Sequence, residues 1–160
     1  LPFDTLLIAD GGDRLQRVAA LLPFFDIDPK KIRILGTGQW DTTGIGSEPA
    51  LMGAWFAAPP PLKRKSFEKR YRILYGAQPP RLATLAYDAM ALAAVLARDK
   101  KKGGFNKEAI SQQSGFAGRD GIFRFTLAGV AERGLSILEV GQRDNFIIDD
   151  APIGFSIQEN

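Results

Sequence analysis

FEKRYRILYGAQPPRLATLAYDAMALAA, Phe67 to Ala94, is the stretch that decides the reading of this chain. Phe67, Tyr71 and Leu74 recur at helical spacing and are expected to face inward from a helix of about Leu62–Tyr75. Gly76 stops that helix and Pro79-Pro80 breaks the chain. A second, almost wholly apolar helix then runs over about Arg81–Arg98. Its expected buried face carries Leu82, Leu85, Ala86, Ala89, Ala93 and Leu96, widened by Ala83, Met90, Ala94 and Val95. Thr84, Tyr87, Asp88 and Ala91 share the opposite face. Tyr87 and Asp88 have two readings. They could approach a hinge or cleft; more simply, Asp88 accepts hydrogen bonds from a neighbouring loop and Tyr87 packs.

Upstream, Phe3 to Ala9 is a short apolar run that reads as a parallel strand buried on both faces. Asp10-Gly11-Gly12 follows it, and Asp13 is the expected helix cap, with Gln16 three residues on. Leu15, Val18, Ala19 and Leu22 give that helix its apolar stripe. Ile32–Leu35 is the next strand, then the loop Gly36-Thr37-Gly38-Gln39-Trp40-Asp41 and a polar stretch to Ser47. Glu48–Leu51 suits one helical turn, and Gly53–Ala58 is a third strand ended by three prolines. This spacing describes a βαβ unit.

Downstream, Asp99 to Gly104 reads as a solvated turn, and Asn106 caps a short helix to about Gln113. The remainder is β. Gly121–Phe125 alternates, Leu135–Val140 and Asn145–Ile148 are apolar runs, and Gly129, Gly134 and Gly141 space them as bends.

The composition excludes several chemistries. The 160 residues include no Cys and no His, which removes thiol nucleophiles, disulfides, His-based triads and His/Cys zinc sites from this chain. No calcium-loop motif occurs, and no metal or cofactor is expected. No apolar run approaches the ~18 residues of a membrane span. The net charge of +3 reflects Lys63, Arg64, Lys65, Lys69, Arg70 and Arg72 on one helix, opposed by Glu68. That face reads as a solvated one, without nucleic-acid motifs. The chain opens on Leu1-Pro2-Phe3 directly into a strand, as expected of an internal or processed piece of something longer.

Candidate site residues collect after the first two strands. Gly11-Gly12 could open an anion site at a helix N-terminus, or simply make a tight turn. Ligands of open α/β sheets bind beyond the carboxyl ends of the strands. Asp10, Gly11, Gly12, Gly38, Gln39, Trp40 and Asp41 are therefore the expected ligand-binding set. Trp40 either stacks on a ligand or packs under its own loop. Asp10 and Asp41 could be read as a carboxylate pair for glycoside chemistry, but nothing fixes their separation. Ser111 and Ser114 have no base available. No catalytic residue is assigned, and the chain is expected not to be an enzyme.

The order of these segments resembles the type I periplasmic solute-binding proteins, the leucine/isoleucine/valine-binding family, over their C-terminal half. Phe3–Asp13 resembles the strand and turn of the second lobe, Ile32–Trp40 the next strand with its cleft-facing loop, and Gly53–Pro59 the strand leading back to the first lobe. Phe67–Ala94 resembles two first-lobe helices; Phe116-Ala117-Gly118-x-x-Gly121-Ile122-Phe123-Arg124-Phe125 resembles an F-x-G-x-x-G-x-φ-x-F segment (φ, apolar); Leu135–Val140 resembles the returning strand. The loops Leu35–Asp41 and Gly53–Pro59 are also similar to a subset that activates penicillin-binding proteins. Two departures stand out: the first lobe's own sheet is missing, and Gln39-Trp40-Asp41 replaces the family's usual acid.

The resemblance implies a three-layer α/β fold with a parallel sheet flanked by helices and a short β tail. It divides the chain into a second-lobe βαβ portion (1–58), a helical first-lobe portion (59–128), returning second-lobe strands (129–150) and a tail (151–160). It implies periplasmic, non-catalytic recognition of a small, amino-acid-like solute, with the membrane component of an ABC transporter as partner. The alternative is a lipoprotein-type activator that binds a peptidoglycan synthase and no solute. A weaker third reading is an α/β enzyme domain. No nucleic-acid partner is expected. The helices from Leu62 to Ala97 lack a sheet to cover them, so self-association of the isolated chain is expected.

Overall fold

The computed structural model describes residues 2–42, 44–98 and 104–155. The chain forms two compact units, one of residues 1–58 and 136–150, the other of residues 59–135 and 151–160.

The first unit is built on a five-stranded sheet of order β1-β2-β3-β7-β8, with β1 Thr5–Ile8, β2 Arg33–Gly36, β3 Trp55–Ala58, β7 Ser136–Glu139 and β8 Phe146–Asp149. β1, β2 and β3 run parallel; β7 returns antiparallel beside β3, placing Leu138 opposite Phe56. Helix α1, Gly12–Leu21, follows β1. Its cap is Gly11 in extended backbone with no side-chain hydrogen bond, and Asp13 lies inside the first turn instead of capping it. There its charge still favours the positive end of the helix dipole. Leu15, Ala19 and Leu22 are buried as the stripe requires, while Val18 sits at its exposed margin.

One continuous core fills one face of this sheet. Ile8, Ile34, Phe56 and Leu138 come from successive strands, Leu15 and Ala19 from α1, and Ile45, Ala50 and Leu51 from the short 3-10 turns between β2 and β3. Burial alternates along β1, β3 and β7, so these strands are covered on one face, contrary to the expectation for β1. Leu7, on the other face, is 61% exposed. That second face carries a polar row across three strands. The Arg33 guanidinium lies 4.0 Å above the Trp55 ring and donates to the Gly53 carbonyl, while Trp55 Nε1 donates to Glu139 Oε2 at 2.9 Å.

The second unit contains α2 (Pro61–Tyr75), α3 (Ala83–Arg98), the single turn α4 (Lys107–Ile110) and a three-stranded antiparallel sheet of β4 Phe116–Gly118, β5 Gly121–Phe125 and β6 Ala131–Arg133. Pro61 at the start of α2 and left-handed Gly76 after its end match proline and glycine preferences at helix termini. Asn106 Oδ1 caps α4 by accepting from the Ala109 N–H, although the helix ends at Ile110, earlier than expected. β6 pairs with β5, Arg124 opposite Glu132, so the return to the first unit begins at Ser136 and not at 129. The expected turn at 99–104 falls mostly outside the described residues.

The α3 expectation is met only in part. Of the expected buried face Leu96 is buried and Leu85 and Ala93 are half-buried, but Leu82, Ala86, Ala89, Met90, Ala94 and Val95 are exposed; of the opposite face Thr84 and Asp88 are buried while Tyr87 and Ala91 are exposed. On α2, Phe67 and Tyr71 are half-buried but Leu74 is exposed. Among the described residues of this unit the buried hydrophobic side chains are only Leu96 and Phe123.

Candidate functional site

The loops after β1 and β2 leave the same edge of the parallel sheet, because the strands are in register from Thr5–Arg33 to Ile8–Gly36. Thr37 starts a 3-10 turn, Gly38–Trp40, that brings Trp40 back beneath the loop. Trp40 is 0% exposed. Its Nε1 donates to the Asp10 carbonyl at 2.9 Å, and its ring lies 6.2 Å from that of Phe56. Gly36 leaves the space for this indole, since a Cβ there would overlap it. Trp40 therefore packs under its own loop and ties the loop after β2 to the loop after β1. The expectation that it offers a flat face to a ligand is corrected: a fully buried ring with its donor already used has no face to offer.

The other expected residues stay at the surface of that edge. Asp10, Gly12, Gly38 and Gln39 are exposed, and Gly11 and Asp41 are half-buried. Gly11 and Gln39 approach closely; a Cβ on Gly11 would come 2.8 Å from Gln39 Cβ. The structure thus brings Asp10-Gly11-Gly12 and Gly38-Gln39 together over a rigid base. Their chemistry is hydrogen bonding: the Gln39 amide can donate and accept, Asp10 accepts, and the N–H groups at the start of α1 lack a side-chain cap. No group of three or more His, Cys, Asp or Glu residues suited to a metal ion occurs among the described residues.

A polar cluster in the second unit accounts for Tyr87 and Asp88. The Asp88 carboxylate accepts from the Arg119 N–H at 2.8 and 3.0 Å, and lies 3.5 Å from the Asp120 nitrogen. Asp120, itself buried, accepts from the Thr84 hydroxyl at 2.7 Å and pairs with Arg81 at 3.5 Å. Gly118 is required beside this carboxylate, because a Cβ there would overlap Asp88. Tyr87 packs edge-on against Phe67 at 5.6 Å and under the Arg119 guanidinium at 5.4 Å. Asp88 is thus a latch holding the β4–β5 turn to α3, in agreement with the simpler reading. Sequence reasoning did not single out Asp120. Its signal is the short Gly118-Arg119-Asp120-Gly121 turn, whose two glycines flank an acid that is then available for the helix.

No family model and no curated protein matches the chain. Solved structures do. A leucine-binding protein, LivK, from Thermotoga maritima matches at 20% identity and TM-score 0.58, covering 90% of this chain and 43% of its own. LivJ from Streptococcus pneumoniae, a branched-chain amino acid transporter substrate-binding protein solved with isoleucine, matches at 18% and 0.59, covering 94% and 46%. The LpoA C-domain from Haemophilus influenzae, a regulator of PBP1A, matches at 15% and 0.61, covering 91% and 44%. The fold is that of the type I periplasmic binding proteins. This chain spans less than half the length of each of these structures. All three are binding or regulatory proteins.

Proposed function

We propose that this chain is part of a protein that recognises a small, amino-acid-like solute without chemical turnover, as the substrate-binding component of an ABC importer in the periplasm. The observation that carries the reading is the edge of the parallel sheet, where Asp10, Gly11, Gly12, Gly38 and Gln39 gather on a base that Trp40 fixes, with Asp41 next in the chain. Such an edge is where open α/β sheets take ligands, and preorganised polar loops on a rigid scaffold lower the ordering cost of binding. The structural likeness to LivK and LivJ supports the same reading. Trp40 serves it as a positioning residue. A solute without charge of its own, or with a basic group, suits the acids Asp10 and Asp41 better than a simple anion does.

The second reading is a regulator of a peptidoglycan synthase that binds protein and no solute. It is supported by the likeness to the LpoA C-domain, which is as close in TM-score as the solute-binding proteins. One experiment separates the two. Small molecules released by denaturing the natively purified protein are identified by mass spectrometry, and the released compound is titrated back by calorimetry into wild type, Gln39→Ala and Asp10→Ala. A stoichiometric solute, with affinity weakened about tenfold or more in each variant, supports solute binding; a lost charge-assisted hydrogen bond is worth ~1.4 kcal/mol or more. No released solute, together with retention on an immobilised peptidoglycan synthase, supports the regulator.

A further inference from the structure

α2 has one side that faces its unit and one that meets water. Arg64, Phe67, Glu68 and Tyr71 are half-buried and share one arc of the helix at about 100° per residue. Glu68, the acid of this helix, lies in that arc and pairs with Arg64 at 2.7 Å. The line opposite holds Leu62, Ser66, Lys69 and Ile73 in succession, with Leu62 79% and Ile73 74% exposed. Lys63 and Arg70 flank this line on one side, Lys65 and Arg72 on the other, each pair two turns apart. These four cations and Lys69 are exposed, and none of them makes an ion pair among the described residues. The chain has a net charge of +3, whereas α2 carries six cations against one acid, so the rest of the chain is slightly acidic and the positive charge forms one pole.

We propose that this outer face of α2 seats the protein on a bilayer that bears anionic lipid headgroups. Unpaired Lys and Arg are almost never interior residues, so this side of the helix is an outer one. A concentrated positive pole turns toward a negative surface before contact, and each Lys or Arg held near an anionic bilayer raises partitioning about fivefold. Glu68, already paired with Arg64 on the inward arc, does not oppose the approach. The line through the middle of the face selects a bilayer over an acidic protein. A face built for solvation or for ion pairs alone has no use for Leu62 and Ile73 at its centre, whereas at a membrane surface both enter the boundary between headgroups and acyl chains. The Lys and Arg stems then lie along that boundary with their charged ends among the headgroups. No described helix is long and apolar enough to cross a membrane, so the contact is a surface one. This inference does not rest on the proposed solute.

Flotation through a density gradient tests this without interference from self-association, because protein aggregates sediment and only lipid-bound chain rises. The 160-residue chain is mixed with vesicles of phosphatidylcholine alone, or of two parts phosphatidylcholine to one part phosphatidylglycerol. The expected result is flotation with the anionic vesicles only, and release when salt is raised from about 0.05 to about 0.5 M and the charges are screened. Lys69→Gln with Arg70→Gln should weaken partitioning about 25-fold, and Lys65→Gln with Arg72→Gln, on the other flank, by the same factor. Glutamine keeps the helix, and light scattering matches the association state of the variants to wild type. With no native cysteine, an environment-sensitive dye is attached at Ser66→Cys. Its emission should shift to the blue when anionic vesicles are added, while the same dye at Leu127→Cys, an exposed position between β5 and β6, should not respond. No flotation with the anionic vesicles overturns the proposal, and retention on an immobilised acidic polypeptide would then assign the face to an acidic protein. Flotation unchanged in both double variants overturns it as well, as does a dye at position 66 that stays in water while the chain floats.

Discussion

Trp40→Ala is expected to unfold the first unit before it touches recognition. The indole is completely buried, packs beside Phe56 and Gly36, and donates to the Asp10 carbonyl. Truncating a buried large aromatic costs ~3–5 kcal/mol, and a lost hydrogen bond adds ~1 kcal/mol. The exposed loop around Asp10 lets water recover part of the second term, which leaves a loss of about 4 kcal/mol. For a unit the size of this one, residues 1–58 and 136–150, each kcal/mol moves Tm by ~4–8 °C, so its melt should fall by about 16–32 °C. Trp40→Phe keeps most of the bulk and loses the donor, and should cost ~1–2 kcal/mol. Gln39→Ala, one residue away but exposed, should stay within ~0.5 kcal/mol. Thermal and urea melts followed by circular dichroism and intrinsic fluorescence measure all three. Trp40→Ala melting within a degree or two of wild type would refute the reasoning, as would Gln39→Ala costing as much as Trp40→Ala.

The latch in the second unit gives a double-mutant test. Asp88→Ala should cost ~2–3 kcal/mol by removing a charged acceptor from buried N–H groups, and Gly118→Ala ~1–3 kcal/mol by overlap with that carboxylate. The double variant should cost clearly less than the sum in urea melts, because the overlap disappears with Asp88; additive costs would separate the two residues. A screen of esterase, phosphatase and glycosidase substrates should show no turnover that depends on Asp10 or Asp41, and activity abolished by Asp10→Ala or Asp41→Ala would reverse that expectation. Light scattering on the 160-residue chain should show self-association through its open apolar faces; a monodisperse monomer with a cooperative melt would count against it.

Local signals in the sequence located most elements to within two or three residues. Short apolar runs between Gly and Pro marked β1, β2, β3, β5 and β7, and Gly76 marked the end of α2. β4 and β6, three residues each, are too short to carry a period of two, and only pairing with β5 defines them. The cap of α1 was misplaced because Asp13 and Gln16 have the capping-box spacing, yet Gly11-Gly12 takes the turn and admits the helix two residues earlier. The site was legible as a place, since strand ends are predictable, but the role of Trp40 was not. A Trp in a loop after a strand looks the same whether its ring points out or in. Gly36, four residues earlier, was the available clue: a glycine at the last position of a strand leaves space for something large.

The partial departure of α3 from its pattern has a different cause. Hydrophobic patterning records every surface a helix buries in the finished molecule, whereas the structure shows only the partners present in these 160 residues. Where all partners are present, pattern and burial agree, as they do along α1 at Leu15, Ala19 and Leu22. The buried residues of α3 are Thr84, Asp88 and Leu96, and the two polar ones are bonded within the unit to Asp120 and to the Arg119 N–H. Such contacts orient a helix but supply little net stability, since each exchanges a bond with water for one within the protein. The apolar arc lies on the other side, with no contact among the described residues large enough to bury it. The latch therefore sets the rotation of α3 about its axis and presents Leu82, Ala86, Ala89 and Met90 together. Breaking it with Asp88→Ala should then do more than destabilise the turn: it should also raise maleimide labelling at Leu96→Cys, a buried position of the same helix, because a helix free to rotate no longer keeps that position inside. Unchanged labelling at position 96 would mean that contacts other than the latch hold α3 in place.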